Sequence, residues 1–263
     1  MAALVVLLSL GTFAAIAYGR EPSTATPGAV RIPPTPAENV DETPGPALAA
    51  SASGPVTLSN PDRVSFWAPI VRRVAARARP GTASRIVARL GTRTPEGTSN
   101  AVFLLQRRES AGQPWLKVRL PILPNNTTGW LPRKSLGGYH TVNTHLVVDR
   151  RRLNAVLYRL GRVVFRARIG IGRSKWPTPP GRFYIRNKLT GYRSSFYGPI
   201  AFGTSARSAV LTDWPAGGFV GIHGTSRPEL IPGRVSHGCI RMRNGDIVRL
   251  ARLMSPGTPL TIL

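Results

Sequence analysis

The sequence predicts a mostly β protein made of two folded units behind an N-terminal tail, and three observations predict it. Strand-sized apolar runs separated by Gly and Pro turns fill residues 61 to 263, and the helical period there is confined to Asp246 to Leu253. Residues 21 to 60 hold eight prolines among many Ala, Ser, Thr and Gly, a composition that cannot form a core. At 263 residues the chain exceeds a typical domain of ~100 to 200 residues. A hydrophobic fraction of 42% is enough to build cores, which excludes a wholly disordered chain. A single cysteine, Cys239, and four histidines exclude a disulfide scaffold and a Cys-rich zinc finger.

The opening residues, MAALVVLLSLGTFAAIAYG, carry no side-chain charge before Arg20 and have the length of a bilayer-spanning helix. Residues 1–20 are therefore a membrane-targeting segment, either a cleaved signal peptide or a retained anchor. Ala15-Ile16-Ala17 resembles a cleavage site, whereas a basic n-region is missing. Residues 21–60 follow as an extended tether. This order places the folded part outside the cytoplasmic membrane, in the cell wall or on the membrane's outer face, and a lone cysteine suits that oxidising compartment.

Residues 61–138 read as a small antiparallel β-barrel, with apolar runs at Ile86 to Leu90, Ala101 to Gln106, Trp115 to Leu120 and Gly129 to Leu131. The stretch PWLKVRLPILPNNTTGWLPRKSL resembles the later strands of a bacterial SH3-like domain. Such a unit is either a wall-binding or substrate-positioning module, or a spacer packed on the second unit. Asn125 and Asn126 sit in formal glycosylation sequons, but turn formation alone accounts for Asn, Thr and Gly there.

Residues 139–263 read as a β-sandwich. Its strands are expected at THLVVD, NAVLYRL, VVFRARIGIG, GRFYIRNKL, AVLTDW, FVGIHG and TPLTIL, with a tight hairpin at Gly161-Arg162. Gly170-Ile171-Gly172 precedes prolines rather than a helix, so it is no phosphate loop. Lys188 to Trp214 is expected to be either a lid or a surface loop.

Charge is concentrated in the folded part. Residues 1–60 hold two basic and four acidic side chains, leaving 34 basic and 7 acidic in residues 61–263. That excess attracts polyanions, but a nucleic-acid partner is not expected, because aromatics are 7% of residues and no recognition motif is present.

The chemistry lies in GIHGTSRPELIPGRVSHGCIRMRNGD. Cys239 follows Gly238, with Ser236 and His237 just before it and His223 sixteen residues upstream. A free thiol with a pKa of about 8.5 is mostly protonated at neutral pH, so a cysteine nucleophile needs a neighbouring imidazole to take its proton. His223 ends an apolar strand and is the expected base, and His237 is either a site residue or local scaffold. Gly238 permits a turn in which successive N–H groups converge on an oxyanion. His140 and His145 read as structural.

Ile222-His223-Gly224-Thr225 with Ser236-His237-Gly238-Cys239-Ile240-Arg241-Met242 resembles the signature of the L,D-transpeptidases, or YkuD-type domains, and Thr178 to Ile185 resembles their upstream Thr-Pro-x-Gly-x-Phe strand. The resemblance covers residues 141 to 263. It implies a cell-wall acyltransferase with Cys239 as nucleophile, His223 as base, the Gly224 carbonyl orienting the imidazole, and the N–H groups of Gly238 and Cys239 as oxyanion donors. Its implied partners are donor and acceptor peptidoglycan stem peptides, with Arg241 and Tyr197 as candidate substrate contacts and no cofactor or metal. Hydrolysis of the same thioester, an L,D-carboxypeptidase activity, and a non-catalytic wall-binding role are the alternatives. Anionic wall polymers are further expected partners, as is the membrane if the N-terminal segment is retained.

Overall fold

The computed structural model describes residues 54–190, 195–211 and 218–263, all within one compact unit, Asn39–Leu263. The expected membrane-targeting segment and the tether up to residue 53 lie outside the described residues. Among the described residues no helix is long and apolar enough to cross a membrane.

Eight strands form an antiparallel N-terminal sheet: β1 (Val56–Thr57), β2 (Ser65–Pro69), β3 (Val74–Arg77), β4 (Ile86–Leu90), β5 (Ala101–Ser110), β6 (Gln113–Arg119), β7 (Thr128–Pro132) and β8 (His140–Val142). Their order is β4-β3-β7-β6-β5-β2-β8, with β1 also pairing β5. The sheet has its own core, in which Val102, Leu104, Leu116, Val118 and Leu131 are fully buried. Alternation produces this core, because side chains of period two from β5 and β6 face the same side. β1 and β8 extend the sheet beyond the span 61–138 at both ends, so the handover to the second sheet falls at Asn143.

The second sheet has ten strands: β9 (Thr144–Asp149), β10 (Asn154–Arg159), β11 (Arg162–Arg168), β12 (Gly170–Gly172), β13 (Gly181–Thr190), β14 (Ile200–Arg207), β15 (Phe219–His223), β16 (Gly233–Ser236), β17 (Ile240–Arg241) and β18 (Pro259–Ile262). The order is β11-β10-β9-β18-β13-β14-β15-β17-β12-β16. β13 joins the two halves: Gly181 to Tyr184 pair with β18, and Ile185 to Thr190 pair with β14. The chain is thus mostly β, as the sequence predicts. Between the halves lies a core including Leu146, Leu157, Phe183, Phe202, Ile222 and Leu260, closed by the inward face of helix α1 (Asn244–Leu253), with Ile247, Leu250 and Ala251. The helix falls where the period predicts it.

Two expectations about this part fail. Ala209 to Trp214 was expected as a strand, but Ala209 to Leu211 are not in one and Thr212 to Trp214 lie outside the described residues. The strand lies earlier, in β14, so Lys188 to Trp214 is not one continuous loop or lid. The polar Thr204 and Ser205 are tolerated inside the sheet because they are bonded. Thr204 Oγ1 donates to the Val220 carbonyl at 2.6 Å, and Ser205 Oγ accepts the Tyr184 N–H at 3.1 Å.

The sheets meet across a packed seam. Tyr184 is fully buried, its ring lies 6.1 Å from that of Phe103, and its hydroxyl donates to the Ala101 carbonyl at 3.0 Å. Trp67 stacks on His140 at 4.3 Å and presses on Gly257, where φ is +84° and any Cβ would collide with the indole. His145, on β9, lies 3.7 Å through Nδ1 from Asp62 Oδ1, which precedes β2. Gly257→Ala therefore incurs both the backbone strain and the collision. We expect it to destabilise the fold by about 1–3 kcal/mol, read as a lower denaturant midpoint with an unchanged m-value.

Candidate active site

The site is assembled by one parallel strand pair. β15 runs beside β17 with Ile222 opposite Ile240 and His223 opposite Arg241, which sets Gly221 beside Cys239. The Gly221 N–H donates to Cys239 Sγ at 3.4 Å. His223, two residues further on, points to the same face as Gly221. A Cβ built on Gly221 would lie 3.8 Å from Sγ and 3.9 Å from His223 Cδ2, so thiol and imidazole close over the surface this glycine leaves bare. The ladder continues with the Met242 N–H donating to the His223 carbonyl at 2.9 Å.

The ring's tautomer follows from its partner. His223 Nδ1 lies 2.6 Å from the Gly224 carbonyl, which can only accept, so Nδ1 carries the proton and the lone pair is on Nε2. His223 is 2% exposed, and burial pushes its pKa from 6.5 down to about 4, helped by Arg241 and opposed by the Gly224 bond. Burial pushes the Cys239 thiol up, while the Gly221 N–H and the Arg241 charge pull it down. The resting pair is thus a neutral imidazole beside a protonated thiol.

Two buried hydroxyls fix the loop that carries the nucleophile. Ser236 Oγ donates to the Cys239 carbonyl at 2.6 Å and accepts the Gly238 N–H at 3.1 Å. Thr178 Oγ1 donates to the Gly238 carbonyl at 2.7 Å and accepts the Gly172 N–H at 2.9 Å. Gly238 sits at φ +114°, which a side chain would strain. Asn244, at the start of α1, accepts the Thr225 N–H at 2.9 Å through Oδ1, and the same oxygen would collide with a Cβ on Gly224.

Aromatic and basic side chains line the cleft. Tyr197 meets the His223 ring edge-on at 4.8 Å, and Phe196 and Phe219 stand on the walls. Arg241 is 8% exposed, with its guanidinium carbon 4.8 Å from the Phe196 centroid and its Nε without a hydrogen-bond partner among the described residues. Exposed His237 stands at the rim, its ring 4.2 Å from that of Trp176.

The residues singled out in the sequence, Cys239, His223, His237, Ser236, Arg241 and Tyr197, line one cleft, and Gly224 and Gly238 shape its backbone. Thr178, Asn244 and Gly221 were missed as site residues. Thr178 carries a faint signal, a lone hydroxyl among Pro177, Pro179 and Pro180.

A family model described as YkuD, L,D-transpeptidase catalytic domain, matches residues 143–262. The YkuD protein of Bacillus subtilis (strain 168) is 34% identical over 123 residues, 47% of this chain and 68% of that protein. That of Bacillus licheniformis is 36% identical over 122 residues, 46% of this chain and 67% of that protein. The chain belongs to the YkuD family of L,D-transpeptidase catalytic domains. Members of this family are cysteine-dependent acyltransferases that act on peptidoglycan stem peptides outside the cytoplasm. Similar solved structures include the NMR structure of the catalytic domain from the E. faecium L,D-transpeptidase, 27% identical, covering 46% of this chain and 96% of that one, with a TM-score of 0.34. A crystal structure of a cysteine-to-serine mutant of the Enterococcus faecium enzyme is 24% identical and covers 46% of this chain, with a TM-score of 0.38; the chain spans 50% of that enzyme's length. L,D-transpeptidase 3 from Mycobacterium tuberculosis is 14% identical, covering 57% of this chain and 91% of that one, with a TM-score of 0.38.

The depressed His223 pKa ties stability to pH. Above pH 6.5 the ring is neutral folded or unfolded. As pH falls towards 4, the unfolded chain takes up a proton that the buried ring refuses, and stability is lost across that window. The loss is on the order of 3 kcal/mol. Urea unfolding at several pH values between 7 and 4 should show this loss in the wild type and a flatter profile in His223→Gln.

Proposed function

We propose that this chain is a peptidoglycan L,D-transpeptidase. In the mechanism, Cys239 attacks the carbonyl at the L-centre of the third residue of a donor stem. His223 Nε2 takes the thiol proton as the S–C bond forms. The oxyanion is held by the N–H groups of Cys239 and Gly238, the latter after Ser236 Oγ releases it. Collapse of the tetrahedral intermediate breaks the amide bond, and His223 returns the proton to the departing amine of D-alanine. The amine of a neighbouring stem then attacks the thioester, His223 accepts its proton, and the cross-link leaves with the thiol restored. Arg241 faces a carboxylate of the donor, and Tyr197 packs against the stem and holds the imidazole edge. The acyl-enzyme carries the activated carbonyl between the two steps, so no cofactor is needed.

The observation that supports this reading is the pairing of Cys239 Sγ with the Gly221 N–H on the strand that also presents His223. The same geometry of nucleophile and oriented base serves hydrolysis as well, and the L,D-carboxypeptidase alternative differs only in whether water or an amine reaches the thioester. The N-terminal sheet is read as an SH3-like module. The N-terminal segment is read as a signal or anchor that places the enzyme at the wall or the outer membrane face, and the basic surface is read as a retention device for anionic wall polymers.

Incubation with a disaccharide-tetrapeptide, followed by mass spectrometry, tests the reaction. A cross-linked dimer with released D-alanine is expected, D-alanine-free monomer alone means the carboxypeptidase, and no product with intact Cys239 overturns the enzymatic reading. Cys239→Ala should abolish both the acyl-enzyme adduct and product, whereas Ala at His140 leaves turnover within about threefold. Raising salt should release the protein from isolated walls steeply and leave turnover of a small soluble tetrapeptide nearly unchanged, because exposed charges are screened over about 8 Å at physiological ionic strength. Cosedimentation and a parallel peptide assay across one salt series check this.

A further inference from the structure

Between β13 and β14 the register slips: Ile185 faces Thr204 and Asn187 faces Gly203, which makes Arg186 the extra residue of a β-bulge. A bulge re-aims the side chains around it. Arg186 and Asn187 are both buried, and the partners they find come from the turn between β4 and β5 in the N-terminal sheet. That turn is preorganised. The Gly97 N–H donates to the Thr94 carbonyl at 2.9 Å, Gly97 has φ +80°, and the hydroxyls of Thr94 and Thr98 bond at 2.8 Å. From it Glu96 Oε2 accepts Arg186 Nη2 at 2.9 Å and Asn187 Nδ2 at 3.2 Å, and Thr98 Oγ1 accepts Asn187 Nδ2 at 2.9 Å. Asn187 Oδ1 accepts the Gly203 N–H at 2.9 Å, a fit that any Cβ on Gly203 would destroy.

The far side of this clamp is the cleft. The Arg186 guanidinium carbon lies 3.8 Å from the centroid of Phe219, and that of Arg207 lies 4.9 Å from the same ring. The Arg207 backbone is in turn held by the N-terminal sheet: its N–H donates to Asn125 Oδ1 at 3.0 Å, and Asn125 Nδ2 donates to its carbonyl at 2.8 Å. Phe219 is thus set against two arginines, Arg186 tied through its guanidinium to one turn of the N-terminal sheet and Arg207 tied through its backbone to another. Phe219 is also a wall of the cleft and the first residue of β15, two before Gly221. Among the described residues Arg186 Nε and Nη1 have no hydrogen-bond partner, and the contacts this guanidinium makes there are one carboxylate and one aromatic face. Without Glu96 it must reach for water, and it leaves the ring it braces.

We propose that Glu96 and Asn125 are positioning residues that act through Arg186 and Arg207 to fix Phe219 as a wall of the donor cleft, so that the N-terminal sheet sets the affinity of the catalytic site for the donor stem. The donor's identity rests on the transpeptidase reading above, whereas the clamp itself does not.

The test uses the full chain with a disaccharide-tetrapeptide. It measures the donor's KM and kcat, and separately the donor concentration that protects Cys239 from iodoacetamide. Glu96→Ala should raise KM and the protecting concentration together by about tenfold with little change in kcat, and leave alkylation without donor within about twofold. Asn125→Ala should move the same quantities in the same direction by a smaller factor, and Glu96→Gln, which keeps an acceptor, should fall between Glu96→Ala and wild type. Values of KM and protection within twofold of wild type in folded Glu96→Ala and Asn125→Ala would overturn the proposal. So would an equal loss of donor-free alkylation and peptide turnover, which would mean that the Cys239 pairing itself had collapsed. Should Glu96→Ala fail to fold, Asn125→Ala decides by the same criteria, since it strands no buried charge. A wild-type chain that neither consumes the tetrapeptide nor is protected by it overturns the transpeptidase reading, and with it this proposal.

Discussion

The parallel pairing of β15 with β17 is the constraint on which the rest of the site depends. It is only two rungs long, and it alone sets Gly221 beside Cys239 and His223 on the same face. A pair that short is not stable by its own hydrogen bonds, so its neighbours have to hold the register. β14 pairs with β15 on one side, and on the other β12 pairs with both β17 and β16, the two strands that flank the nucleophile loop. Two hydroxyls complete the fixing of that loop, one from Ser236 at its start and one from Thr178 in the segment between β12 and β13. Thr178 ties Gly238 to β12, and Ser236 closes the turn on the Cys239 carbonyl. Sheet, loop and helix thus converge on one sulfur position.

The same burial that fixes the geometry decides the protonation states. Arg241 pulls the thiol pKa down and the imidazole pKa down with it, so it favours the thiolate but opposes the imidazolium. A preformed ion pair is therefore not the resting state. The proton moves when the carbonyl arrives and charge begins to pass from sulfur to an oxygen held by backbone N–H groups, which is where a dry site gives its largest electrostatic return. The Gly224 carbonyl matters for the same reason. By holding the proton on Nδ1 it keeps Nε2 free to receive, and it is the bond that favours the charged ring when that proton comes.

The nucleophile and base were legible in the sequence because their chemistry is local. Ser-His-Gly-Cys and Ile-His-Gly compress strand, turn and reactive group into a few residues. The strands of period two and helix α1 were legible for the same reason. β14 was not, since it falls in the Gly- and Ser-rich stretch Lys188 to Trp214 expected as a lid or surface loop, and only partners on β15 and β13 make the Thr204 and Ser205 hydroxyls acceptable in a core. Asn125 and Asn126 looked like turn residues, and Asn126 does adopt φ +68°. Their side chains nevertheless reach Arg207 and Arg182, 82 and 56 residues away, a distance no local pattern encodes. Thr178 and Asn244 were missed for the same reason: each acts on backbone groups supplied by another part of the chain.

A chain with 34 basic and 7 acidic side chains in its folded part cannot neutralise its arginines with carboxylates. It uses aromatic faces and carbonyl oxygens instead. Arg241 lies over Phe196 and Arg133 over Tyr139, while Arg150 donates to the Leu263 carbonyl and Arg243 to that of Ile231. Such partners satisfy the planar, weakly hydrated guanidinium group but leave its charge uncancelled. The uncancelled charge at the surface draws polyanions, and near the cleft it biases the thiol towards its reactive form. Against that background the placement of Glu96 is informative. One of few carboxylates is spent on Arg186, which is 2% exposed and lies against a wall of the cleft, rather than on the many arginines left at the surface. The Arg186 side chain is 1% exposed, and a carboxylate of opposite charge offsets part of what it costs to take that guanidinium out of water.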